Sequence, residues 1–92
     1  MQEVLFKPDW AATPIEEQEF YELALEETGD PERPHVVRRT HYEWNSGVGQ
    51  MLPADHILDR ARTLKDAENR YAAHLNILRD LGFTFSDMDP IL

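Results

Sequence analysis

Hydrophobic and polar positions follow three rhythms along this chain, and each rhythm predicts an element. Glu3-Val-Leu-Phe6 is a short apolar run stopped by Pro8, which predicts a strand. From Thr13 the signals change. Thr13 can cap a helix, Pro14 suits its first turn, and Glu16 can close a capping box. Phe20, Tyr21, Ala24 and Leu25 then share one side of a helical wheel. A helix from Pro14 to about Thr28 is therefore expected, with Gly29 as its left-handed stop.

After the stiff Asp30–Pro34 connection, the rhythm becomes two. Val36, Arg38, Thr40, Tyr42 and Trp44 fall on one face of a strand running to Asn45, and His35, Val37, Arg39, His41 and Glu43 on the other. Asn45-Ser-Gly47 is turn chemistry, so Val48 to Leu52 is expected to return as the second strand of a hairpin.

A helical period then takes over. Ile57, Ala61, Leu64, Tyr71, Leu75 and Leu78 keep one phase at about 100° per residue, and Gly82 ends the run. The expected element is one continuous helix from Pro53 or Asp55 to Leu81. At about 1.5 Å per residue it measures roughly 43 Å, longer than the ~30 Å body of a chain this size. It is expected to overhang the domain and so to invite self-association. Thr63-Leu-Lys-Asp66 is the one place where a second cap would let it restart. The apolar tail (Phe83, Phe85, Ile91 and Leu92) is expected to pack on the domain or on a partner.

These elements imply one α+β domain spanning residues 1–92: a small antiparallel sheet of the N-terminal strand and the central hairpin, covered by two helices, the second one long. At 10.7 kDa there is no room for a second core. The chain has no cysteine, which removes disulfide scaffolds, thiolate metal sites and catalytic thiols. Its first residues lack a signal peptide, and no apolar run approaches the ~18 residues of a membrane span. A cytoplasmic location is the expectation.

Charge alters this picture most. The net charge is −9. Through Glu32 the chain carries ten acids against Lys7 alone, and from Arg33 onward eight acids balance eight bases. Such a chain is not expected to bind nucleic acid or anionic membranes directly. On the expected first helix, Glu19, Glu22 and Glu26 form a ridge flanked by Glu16 and Glu27, with no basic residue between. Pairs such as Glu22/Glu26 each cost about 0.2–0.5 kcal/mol on a helix. A ridge of about one carboxylate per 3 Å resembles a phosphate strand, at about 3.4 Å per charge. It is suited to a basic macromolecular partner.

Histidines and carboxylates offer a second chemistry. His41 and Glu43 share a strand face with His35, and Asp55, His56 and Asp59 form another group. Imidazole plus carboxylate is how a zinc or iron site is built, but no HExxH, phosphate-cradling glycine loop or GxSxG accompanies them. No cofactor, metal ligand or catalytic residue is therefore assigned. Glu68 interrupts the apolar stripe of the second helix, where Arg38 is a plausible partner. Tyr42 and Trp44 are either core or interface anchors.

The expectation is a non-enzymatic binding protein, an inhibitor or adaptor that engages a basic, nucleic-acid-binding surface. It would do so through Glu16, Glu19, Glu22, Glu26 and Glu27, with Tyr42 and Trp44. The alternative is a structural subunit that associates, with copies of itself or within a larger assembly, through the long helix and apolar tail. A third is a small metal-dependent enzyme built on His35, His41, Glu43, His56 and Asp59.

Overall fold

The computed structural model describes residues 1–86, with Phe85 and Ser86 described by backbone pairing only. Five strands, β1 (Gln2–Phe6), β2 (Glu19–Glu27), β3 (His35–Asn45), β4 (Gln50–Ala61) and β5 (Phe85–Ser86), form one antiparallel sheet. Its order is β4-β3-β2-β1-β5. A single α-helix, α1 (Leu64–Asp80), packs on one face. The class is α+β as expected, but the expected first helix is absent.

Residues 14–28 instead form a 3-10 turn (Ile15–Glu17) followed by β2. The helix-start signals at Thr13–Glu16 yield only that one turn: Pro14 precedes it in extended conformation (ψ 144°), no side chain caps it, and the Thr13 hydroxyl donates back to the Asp9 carbonyl (3.0 Å). The strand wins because residues 19–27 also alternate with period two. Tyr21, Leu23 and Leu25 then face α1, while Phe20, Glu22, Ala24 and Glu26 face away. Nine registered pairs to β3, from Glu19↔Glu43 to Glu27↔His35, supply partners that an isolated helix lacks. The like-charged helical ridge disappears with the helix.

The long helix is also corrected. Residues 50–61 are β4, and α1 begins only where Thr63 accepts a hydrogen bond from the Asp66 backbone N–H (3.2 Å). At 17 residues, α1 is roughly 26 Å long, so it does not overhang the body. Association through an overhanging helix therefore loses its element. Gly82 ends α1 as expected, at φ 101°. Among the described residues no helix is long and apolar enough to cross a membrane.

The core lies between α1 and the sheet. Leu5, Leu23, Leu25, Val37 and Ala61 meet Ala67, Tyr71 and Leu78 of α1, and Phe83 closes the end beside Tyr21. Each large apolar side chain buried here contributes about 1.5–3 kcal/mol. The single Tyr71 hydroxyl proton is shared between Glu3 Oε1 (3.1 Å) and the Leu23 carbonyl (3.3 Å), so this buried phenol is not left unsatisfied. Asp59 on β4 holds Arg70 (2.7 Å) and His74 (2.6 Å), tying the middle of α1 to the sheet. Of the apolar tail, Phe83 is core and Phe85 pairs with Phe6 on β1. Ile91 and Leu92 lie outside the described residues.

Candidate functional site

α1 occupies one face of the sheet, and among the described residues no helix covers the other. The register writes its rows directly. Phe6, Phe20, Tyr42 and Pro53 form one row, and Trp44 and Met51 the next. Below them lie Val4, Glu22, Thr40 and Asp55, then Gln2, Ala24, Arg38 and Ile57, then Glu26, Val36 and Arg60. The aromatic row is in ring contact across three strands, tilted between Phe6 and Phe20 and stacked between Phe20 and Tyr42. Phe6 meets Phe20 at 4.9 Å, Phe20 meets Tyr42 at 4.7 Å, and Trp10 lies on Phe6 at 4.8 Å. Each ring keeps part of its surface exposed.

Arg38 organises the polar half. Its Nε and Nη2 donate to the two oxygens of Glu26 (3.0 and 2.6 Å), and Nη1 donates to Thr40 Oγ1 (2.6 Å). Thr40 in turn donates to Asp55 Oδ1 (2.6 Å), and Gln2 donates to Glu22 Oε2 (2.7 Å). The Glu26 hydrogen bonds, set against some desolvation, push the Arg38 guanidinium above its ordinary range. The same contact holds the Glu26 carboxyl below the usual carboxylate range. One guanidinium here faces three carboxylates, Glu22, Glu26 and Asp55, leaving an excess of two negative charges.

The expected glutamate ridge is dispersed. A strand sends successive side chains to opposite faces, so only Glu22 and Glu26 reach this surface. Glu16 and Glu17 are exposed in the 3-10 turn, and Glu27 is exposed at the end of β2. Glu19 is on the α1 side, bound to Lys7 (3.6 Å) and His41 (2.8 Å). The close linear spacing that resembled a phosphate strand is therefore lost. Tyr42 and Trp44, both half-buried, do share the open face with Glu22 and Glu26.

Asp55, Phe6, Phe20 and Trp10 join the site without having been singled out from sequence for it. For Phe20 the signal was the alternation within residues 19–27. For Asp55 it was the continuation of the hairpin beyond Leu52. Glu68 is exposed near Leu64 and Met1, on the opposite side of the sheet from Arg38, so that pairing does not form.

The histidine set is only partly gathered. His41 and Glu43 are joined by Glu19 from β2, their ligand atoms lying within 4.8 Å of one another. Two carboxylates and an imidazole form a hard-to-borderline donor set. Here Glu19 is already engaged by His41 and by the Lys7 ammonium, whose charge opposes a cation. His35 sits at the far end of β3, and Asp59 is held by Arg70 and His74. His56 lies across from Arg39, while Asp55 points to the other face. The proposed five-residue centre does not assemble.

The chain matches no protein-family model, no curated protein and no solved structure.

Proposed function

We propose that this protein is a non-enzymatic binding module that engages a basic, partly apolar segment of a macromolecular partner, on the sheet face opposite α1. One observation carries the reading: a row of half-exposed aromatic rings in mutual contact borders a cluster in which Glu22, Glu26 and Asp55 outnumber Arg38. Aromatic surface supplies contact area at little entropic cost, and the excess carboxylates select and steer cations. Arginine or lysine side chains of the partner would lie over Glu22 and Asp55, with its apolar groups on Phe20, Tyr42 and Trp44. An inhibitor or adaptor role toward a basic enzyme surface fits this chemistry, without mimicry of a phosphate backbone.

The test uses the chain's own reporters. Both tryptophans, Trp10 and Trp44, belong to this site, Trp10 through its stack on Phe6 and Trp44 on the face itself. Titration with a synthetic peptide of alternating arginine and leucine should change tryptophan emission saturably. The Glu22→Gln/Asp55→Asn variant should weaken binding at least fivefold, as should a rise from 50 to 300 mM salt. No saturable change, or equal binding by the variant, overturns the reading. Self-association through this face, seen as concentration-dependent sedimentation of the free protein, also overturns it.

A further inference from the structure

The positive charge of this acidic chain is concentrated elsewhere. An open cleft of about 680 Å³ runs between the outer edge of β4, the start of α1 and the turn before β3. Arg33, Arg60, Arg62 and Arg70 line it, against Asp59 and Asp66. Four of the chain's nine basic residues thus meet at one place on a molecule of net charge −9. Arg70 is fixed by Asp59 (2.7 Å) and Asp66 (3.1 Å), which raise its pKa through those hydrogen bonds. Arg33, Arg60 and Arg62 are exposed and form no ion pair among the described residues. Asp30 lies in the field of Arg60 and Arg33, but its carboxylate accepts the backbone amides of Glu32 and Arg33 (2.8 and 3.1 Å).

The four arginines outnumber the two lining carboxylates, Asp59 and Asp66, and the surplus positive charge attracts an anion. Guanidinium is the group best matched to phosphate oxygens, through two parallel hydrogen bonds. Thr63 and Asp66 of the first turn of α1 border the same cleft, so the positive end of the helix dipole adds to the field. The volume falls within the roughly 300–1,000 Å³ of small-molecule sites. No aromatic ring lines it, so nothing there stacks on a nucleobase. The excess carboxylates elsewhere would repel an extended nucleic acid.

We infer that this cleft binds a small molecule through two or more phosphate groups, held by Arg33, Arg60 and Arg62, with Arg70 as the fixed wall. The cleft meets the proposed partner-binding face only at Ile57 and Arg60, and its test with phosphate probes leaves that reading untouched.

Tripolyphosphate and ATP are the probes, titrated at low salt and followed by calorimetry and by backbone amide shifts. Both should bind saturably and with affinities within about threefold of each other, moving the amides of residues 57–66. Citrate should bind at least tenfold more weakly. The Arg60→Gln/Arg62→Gln variant should weaken tripolyphosphate binding at least tenfold with its melting temperature unchanged, because neither arginine is tied to the fold. Arg33→Gln should weaken it threefold or more, and Arg79→Gln, at the other end of α1, should leave it unchanged. Absence of saturable binding overturns the inference. So does citrate binding as tightly as tripolyphosphate, or an equal loss in the Arg79→Gln variant, since either marks nonspecific attraction. ATP binding without tripolyphosphate binding overturns it as well.

Discussion

Arg38 on β3 grips Glu26 on β2 through two parallel hydrogen bonds, Nε to Oε1 at 3.0 Å and Nη2 to Oε2 at 2.6 Å. The pair lies diagonally across neighbouring strands, Arg38 being opposite Ala24 and Glu26 opposite Val36. It is the reason three carboxylates can share one sheet face. Remove the guanidinium and Glu22, Glu26 and Asp55 repel one another.

Arg38→Gln should therefore lower stability at neutral pH, by about 1–2 kcal/mol after allowing for the exposure of Glu26. Urea denaturation measures it. The pH dependence carries a sign. Glu26 has a depressed pKa in the folded state, so its contribution is present above the unfolded value and is lost as pH falls through the folded one. Stability of the native chain should fall as pH drops below about 4.5. The Arg38→Gln curve should be flatter over that interval, and an unchanged slope would remove Arg38 as the cause.

Tyr71 offers the opposite sign. Burial, with Glu3 close by, pushes its phenol well above the ordinary value. Its contribution is complete below about pH 10 and is lost as pH rises toward the folded value. An ultraviolet titration should show a phase above the ordinary tyrosine range, and Tyr71→Phe should remove it. Loss of the hydroxyl, with its bonds to Leu23 and Glu3, should cost about 1 kcal/mol.

Thr63 marks where β4 gives way to α1. Thr63→Ala removes the acceptor of the Asp66 amide and should lower stability by about 0.5–2 kcal/mol. Thr63→Ser should retain most of it. Chemical denaturation compares the two. An effect-free alanine would mean that water caps this end equally well.

Leu23 is fully buried between β1, β3 and α1. Leu23→Ala should cost about 2–5 kcal/mol. That is a large fraction of the stability of so short a chain, and the thermal midpoint should drop sharply or the transition vanish. The exposed Ile77→Ala on α1 should change it by under about 0.5 kcal/mol.

Particular residues explain what could be read in advance. His35–Asn45 announced β3 through strict alternation, and the Asn45–Gly47 turn announced the hairpin. Gly82 announced the end of α1, whereas the cap at Thr63, visible as a place for a restart, was passed over in favour of one continuous helix. Those signals act over a few residues. Glu19–Glu27 and Pro53–Ala61 were misread because each sequence suits two periods. Ile57 and Ala61 fall on one helical stripe, yet in β4 Ile57 faces away from α1 while Ala61 joins the core. The glutamate ridge is dispersed for the same reason. A helix gathers Glu19, Glu22 and Glu26 on one side, while a strand separates Glu19 from the other two.

The chain by itself determined the α+β class, the short first strand, the central hairpin, the closing glycine of the helix and the uneven placement of charge. Caps, turns and alternation are written in neighbouring residues and need no distant partner. Only the tertiary structure decided that residues 19–27 pair with β1 and β3, that β4 continues to Ala61, and that four arginines converge beside it. Strand pairing draws its hydrogen bonds and side-chain contacts from segments far along the chain, and a local preference for helix yields to them.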